Sequence, residues 1–318
     1  MPRAMRGQGR GHGKVILLGE HAVVHGVPAL AAALANGATA TAAAGERNRL
    51  RVAPWAVDVR PGDDVPLARA FAAALEARGG ARTPLDVEAS MEIPGGAGLG
   101  SSAALGVAVI RAMDAHEGVT RDDDDTQRIA LAWERVFHGN PSGIDTAMAI
   151  AGGVALYRRS PAEGQRTLER VVPRAPITLV VGHSGEGAST RAMVESVARQ
   201  KERDGARFAK TLAAIEVLVS NARSAIEAGD LRGLGQLLDM NQSLLAAWMV
   251  STGTIEEMCA AARAAGALGA KLTGGGGGGC MIALAPSVEA AEPIRAALLQ
   301  HGKKEAWIVT AGTPWEPA

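Results

Sequence analysis

Apolar and polar positions change period along this chain, and the changes mark its elements. Val15-Ile16-Leu17-Leu18 is a short apolar run between Gly13-Lys14 and Gly19, which suits a buried strand. A second apolar run covers 28–34, and 50–59 predicts another strand. Leu67, Ala70, Phe71, Ala74 and Leu75 recur at helical spacing within 66–78. Residues 85–93 alternate (Leu85, Val87, Ala89, Met91, Ile93) as a half-buried strand does. A glycine-rich run then passes directly into an Ala-rich helix over 102–116. A further helix spans 121–137, and its Asp122–Asp125 run suits the positive end of a helix dipole. Beyond it the pattern predicts strands at 152–157 and 177–182 and helices at 188–228, 231–248 and 255–265. A second glycine run covers 274–279, followed by a strand at 280–285, a helix at 287–300 and a closing strand at 306–310. Residues 1–12, with Arg3, Arg6 and Arg10 among glycines, read as a loose tail.

Strands and helices mix without regular βαβ alternation, so the expected class is α/β of the α+β type. Pro173 and Pro176 interrupt the pattern and place a boundary near 172–176, giving regions 1–174 and 175–318.

Composition narrows the partners. The 318 residues are 47% hydrophobic and 21% charged, which a packed core needs and a disordered chain lacks. Lys plus Arg equals Asp plus Glu at 33 each, so no global field draws the chain to nucleic acid or an anionic membrane; an anion site must be local. Cys259 and Cys280 are too few and too far apart for a disulfide scaffold or zinc site, and point to a reducing, cytoplasmic setting. No apolar run reaches the roughly 18 residues of a membrane span, and the first residues lack the apolar stretch of a secretory signal.

Four constellations carry candidate chemistry. Pro94-Gly95-Gly96-Ala97-Gly98-Leu99-Gly100-Ser101-Ser102 lies between a strand and a helix. Backbone N–H groups at a helix start, reached through glycines, cradle phosphate. The run is not a Walker loop, since Gln8 stands where Gly13-Lys14 would need a glycine and Val15 follows the lysine. The chain also has no His-Arg-Asp or Asp-Phe-Gly element, and Gly-x-Gly-x-x-Gly fails at Ser101. Lys14, entering a buried strand ahead of Gly19-Glu20-His21, is placed to stabilise phosphoryl charge; the alternative reading of this segment alone is a solvated strand-edge lysine. In Glu134-Arg-Val-Phe-His-Gly-Asn-Pro-Ser-Gly-Ile-Asp145 a strong turn presents Asp145, which suits acceptance of a hydroxyl proton as well as a helix N-cap. Glu134 on the preceding helix suits Mg²⁺. Lys271-Leu-Thr followed by Gly274–Gly279 and Cys280 reads as a close-approach loop beside the phosphate site.

Taken together, these segments resemble the GHMP family of small-molecule kinases, in order and spacing along most of the chain. The resemblance is nearest to those members that phosphorylate mevalonate, because His138-Gly-Asn-Pro-Ser-Gly-Ile-Asp145 is absent from the galactose and homoserine kinases that share the phosphate loop. It implies a two-domain fold, 1–174 and 175–318, with the active site in the inter-domain cleft. It assigns catalysis to Asp145 and Lys14, and ATP to Gly96, Ala97, Gly98, Leu99, Gly100, Ser101 and Ser102. Mg²⁺ falls to Ser102 and Glu134, and substrate contacts to Glu20, His21, Ser142, Gly143 and Thr190, the last within Ser189-Thr190-Arg191-Ala192. The implied reaction is ATP-dependent phosphorylation of the primary hydroxyl of mevalonate, by a chain that could pair as a homodimer. The alternatives are a kinase of phosphomevalonate, homoserine or a sugar, or a silent nucleotide-binding regulator. One departure from the family lies at 47–64, where Trp55 and its neighbours replace the family's adenine-side asparagine.

Overall fold

A computed structural model describes residues 6–139, 141–159, 166–187, 190–301 and 305–312. In chain order the elements are β1 (Gly7–Leu18), β2 (Ala29–Ala44), β3 (Arg49–Val52), β4 (Val57–Val59), α1 (Pro66–Ala77), β5 (Leu85–Met91), α2 (Ser101–Glu117), α3 (Asp123–His138) and α4 (Ile144–Ala151). Next come β6 (Val154–Arg159), β7 (Arg166–Val171), β8 (Ile177–His183), α5 (Thr190–Arg203), α6 (Gly205–Ala228), α7 (Leu231–Ala247), α8 (Gly253–Ala264), β9 (Gly269–Leu272), β10 (Cys280–Leu284), α9 (Ala291–His301) and β11 (Glu305–Ala311). Short 3₁₀ turns lie at Ala22–His25 and Ala53–Trp55.

The long strand β2 is the hub of the sheet. It pairs antiparallel with β1 along one edge, and on the other with β6 (Ala29–Ala32), β11 (Leu34) and β5 (Ala38–Ala44). The order β4-β3-β5-β2-β11-β8-β10-β9 makes one continuous sheet, antiparallel apart from the β3–β5 pair. Helices α2 and α4 pack on β1 and β2, while α8 and α9 cover β8, β10 and β11. The sequence boundary near 172–176 falls in the link between β7 and β8.

Several expectations change. Residues 1–5 lie outside the described residues, but Gly7 to His12 are not a loose tail: they are ordered strand, paired in register with Ala42 to Gly37. Their buried face is made of glycine, so no apolar alternation marks it. A Cβ added at Gly7, Gly9 or Gly11 would come within 2.2 Å of backbone atoms at Ala112 and His116, Ala108, and Ala104 of α2. Strand glycines two apart therefore face helix residues four apart, and the backbones touch. Gly11→Ala should lower the unfolding free energy by about 1–3 kcal/mol, the usual cost of overpacking, in a urea titration.

The strand expected over 50–59 is broken by the turn containing Pro54, whose last residue Trp55 is followed by Ala56 in the left-handed region. The helix expected over 188–228 is two, α5 and α6, divided at Asp204, whose side chain caps α6 through Arg207 N; residues 188 and 189 lie outside the described residues. Strand β9, strand β7 and helix α4 are additions. All three are short, and none carries a long periodic signal.

Candidate active site

Strand β1 delivers Lys14 at a bulge in its pairing with β2, between His12 and Lys14. Lys14 then holds the first glycine loop twice: its backbone N donates to Leu99 O at 2.9 Å and its Nζ donates to Gly98 O at 2.9 Å. The same Nζ lies 2.9 Å from Asp145 Oδ1, and the side chains are 4% and 33% exposed, so the carboxylate is the open side of the pair. Gly100, with φ 73°, stands directly beside them; a Cβ there would sit 3.1 Å from Lys14 Cγ and 3.5 Å from Asp145 Oδ1. The loop, with Gly96 and Gly98 also at positive φ, ends as the N-terminus of the 17-residue helix α2. Unpaired N–H groups and the dipole there make a ready anion site. Ser101 is buried and Ser102 is half-buried in the first turn.

Ser102 faces α3. Trp133 Nε1 donates to its Oγ at 3.3 Å, and Ser102 lies beside the Glu134 carboxyl. Burial pushes the Glu134 carboxyl up to about 7, with Asp145 as a smaller upward contribution, while Ser102 and Lys14 pull it down. Its Oε1 is buried with no partner among the described residues, and Oε2 lies 3.5 Å from His138 Nε2. Because the folded protein binds this proton more tightly than the unfolded chain, charging Glu134 destabilises the fold as pH rises from about 4.5 to about 7. Between pH 5 and pH 8, without nucleotide or Mg²⁺, the stability difference between parent and Glu134→Gln should shift against the parent by about 2–3 kcal/mol in urea unfolding. A difference that stays flat across that range would show the carboxylate to be solvated.

Asn140 of the 138–145 turn lies outside the described residues. The segment from Ser142 onward is tightly held: Tyr157 Oη donates to Ser142 O at 2.6 Å, and Gln127 Nε2 and Thr146 Oγ1 donate to Gly143 O at 3.1 and 3.0 Å. Gly143 is the N-cap residue of α4, at φ 84°. Asp145 sits inside the first turn, so its side chain is free of capping duty and reaches Lys14 instead.

The third group joins the corner after β1 to residues from the far half of the chain. His21, at φ 60°, meets Gly275 O through Nε2 at 2.9 Å. A carbonyl only accepts, so Nε2 carries the proton and Nδ1, buried and without a partner among the described residues, is a bare acceptor. Burial pushes the ring's pKa down to about 4, which keeps it neutral. Glu20 is fully buried and its Oε1 is bonded by Lys271 Nζ. The second glycine run lies against the first: a Cβ on Gly274 would be 3.4 Å from Gly98 O, and one on Gly98 would be 3.6 Å from Thr273 O. Thr190 is the first residue of α5, which packs on α6.

The structure thus gathers Lys14, Asp145, Ser102 and Glu134 around one glycine loop, with His21 reaching the second. Sequence reasoning gave no role to Lys271 or Thr273. Their partners, Glu20 and Ile16, lie 251 and 257 residues away, too distant for any spacing signal to connect them. Cys259 and Cys280 are both free and buried, and burial pushes each thiol up to about 12. Among the described residues no helix is long and apolar enough to cross a membrane.

Two family descriptions fit this arrangement: residues 65–153 match the GHMP kinases N terminal domain and residues 222–304 the GHMP kinases C terminal region. The chain belongs to the GHMP kinases. Among its relatives are the mevalonate kinase of Pyrococcus horikoshii, 35% identical over 300 residues with 86% of this chain and 87% of that one covered, and that of Aeropyrum pernix, 34% identical over 283 residues with 86% of each covered. The crystal structure of L. major mevalonate kinase in complex with R-mevalonate superposes with a TM-score of 0.85 at 31% identity, covering 96% of both chains. Lactococcus lactis galactokinase, complexed with galactose, shares the fold at TM-score 0.75 and 18% identity over 98% of this chain and 95% of that one.

Proposed function

We propose that this chain transfers the terminal phosphoryl group of ATP to the primary hydroxyl of mevalonate, giving 5-phosphomevalonate and ADP, in a cleft between halves 1–174 and 175–318. The observation that carries this reading is the Lys14–Asp145 pair, 2.9 Å apart and set against Gly98 of the glycine loop. Phosphoryl transfer asks little covalent chemistry of a protein; it asks for aligned reactants and stabilised charge. In this reading the backbone from Gly96 to Ser102 holds the ATP phosphates. The half-exposed Asp145 carboxylate orients the hydroxyl and takes its proton, and Lys14 stabilises negative charge on the transferring group.

Mg²⁺ fits the residues present. Among the described residues there is no cluster of three or more His, Cys, Asp or Glu suited to a metal. Mg²⁺ needs only one or two protein oxygens beside phosphate and water. The orphaned, buried Oε1 of Glu134 and the Ser102 hydroxyl at the loop's end supply them. When bound, the ion supplies charge neutralisation to the phosphates. On the substrate side, the bare Nδ1 of His21 suits a hydroxyl donor, and Ser142, Gly143 and Thr190 complete the proposed surround.

A coupled assay of ADP release tests the reading, with mevalonate, phosphomevalonate, homoserine and galactose compared at equal concentration. Mevalonate should give the highest kcat/KM by at least about tenfold, a difference of about 1.4 kcal/mol in transition-state binding. A higher value for any other alcohol refutes the substrate assignment, and ATP binding with no ADP release from any of them refutes the catalytic one.

A further inference from the structure

Three contacts stitch β1 and the corner after it to β9 and the segment leaving it. Thr273 Oγ1 accepts from Ile16 N at 2.9 Å and donates to Ile16 O at 3.1 Å. His21 Nε2 donates to Gly275 O at 2.9 Å. Between them Lys271 Nζ bonds Glu20 Oε1 and donates to Leu272 O at 2.6 Å. Both charged side chains have 0% exposure, so neither reaches the open site. The far end is anchored in turn: Leu272 N donates to Gln242 Oε1, and Gln242 Nε2 donates to Glu256 at 2.8 Å and to Ser251 at 3.0 Å. The Glu20 carboxylate is therefore fixed to the frame of α7 and α8, although it belongs to the first strand's corner.

Stability alone gives little reason for such a pair. Desolvation opposes both charges, raising the carboxyl and lowering the ammonium, and an apolar pair of similar volume commonly holds a fold as well. Geometry gives a reason. The next residue, His21, occupies the left-handed region, which a side chain enters at a cost and keeps only where its surroundings hold it.

We propose that the Glu20–Lys271 pair is a positioning device: it sets His21 and the Thr273–Gly276 segment at the spacing that receives the alcohol substrate, and it touches no substrate itself. The proposal rests on the mevalonate reading for its kinetic consequence and on the buried contacts alone for its structural one.

The test is the charge-free double variant Glu20→Leu with Lys271→Met, beside the charge-reversed Glu20→Lys with Lys271→Glu. The double variant should unfold cooperatively near the parent's Tm. Its KM for mevalonate should rise at least tenfold, with KM for ATP within twofold and kcat within threefold of the parent. Amide hydrogen exchange over 273–277 should quicken at least tenfold, and the charge-reversed variant should recover part of both effects. A folded double variant with an unchanged mevalonate KM and unchanged exchange over 273–277 overturns the proposal, since a volume-filling pair predicts that result. If the double variant does not fold, Glu20→Gln, where Lys271 can shed its proton, decides by the same thresholds. A parent enzyme that releases no ADP with mevalonate retires the functional reading only. The exchange measurement then decides the positioning claim by itself.

Discussion

Asp145→Asn should cut turnover with ATP and mevalonate by at least about 100-fold, the lower size of a lost proton acceptor, while circular dichroism and Tm stay near the parent's. The reason is local. The Asp145 carboxylate spends one oxygen on Lys14 and is one-third exposed, so it is the open oxygen of an otherwise sealed corner. The amide keeps the shape and loses both the negative charge and the basic oxygen. Lys14→Met should give a loss of similar order, because its ammonium carries the charge term and also pins Gly98. The two losses should fall short of adding in the double variant, as expected of groups acting as a unit. An Asp145→Asn enzyme with near-parental turnover would remove the proposed base.

The largest stability effect lies away from the site. Arg78, following α1, has a side chain only 1% exposed and reaches Asp114 at 2.6 Å and Glu117 at 2.9 Å on the last turns of α2. Arg121 meets the other Asp114 oxygen at 2.9 Å, and its guanidinium donates to Arg78 O at 3.2 Å. Arg78→Met would leave the Glu117 carboxylate with the Arg82 backbone N–H at 2.8 Å in place of a guanidinium, and Asp114 with one cation. Unfolding in urea should show a loss of about 3–5 kcal/mol, the cost of an uncompensated buried charge. A loss under about 1 kcal/mol would place this cluster with ordinary surface ion pairs. The remaining enzyme, assayed below its lowered Tm, should keep its KM values, because the cluster sits at the opposite end of α2 from Ser102.

The sequence was most legible where burial has a period. Helices over 66–77 and 123–138 and strands over 85–91, 177–183 and 280–284 lie within a few residues of their expected bounds. The motif residues Lys14, Ser102, Glu134 and Asp145 also converge, because short strings fix local backbone while glycines permit close approach. Legibility ended where contacts are distant or apolar side chains are missing. Gly7, Gly9 and Gly11 hide a buried strand face behind a composition that reads as coil. The N-cap alternative for Asp145 failed to allow for Gly143, whose φ of 84° takes that place two residues earlier. Lys271, in a four-residue strand, has a partner that no spacing rule connects to it.

The glycine face of β1 has a mechanical consequence. Lys14 rides on that strand and Ser102 on the helix pressed against it, and backbone meets backbone at Gly7, Gly9 and Gly11 with no side chain between. Such a close approach of backbones leaves no side-chain rotamer between them to change, so compression finds little volume there to remove. The separation of the lysine from the phosphate-loop serine is thereby set by van der Waals radii, as a machinist's gauge block sets a gap. Hydrostatic pressure would deform the looser loops around the site well before it altered that dimension.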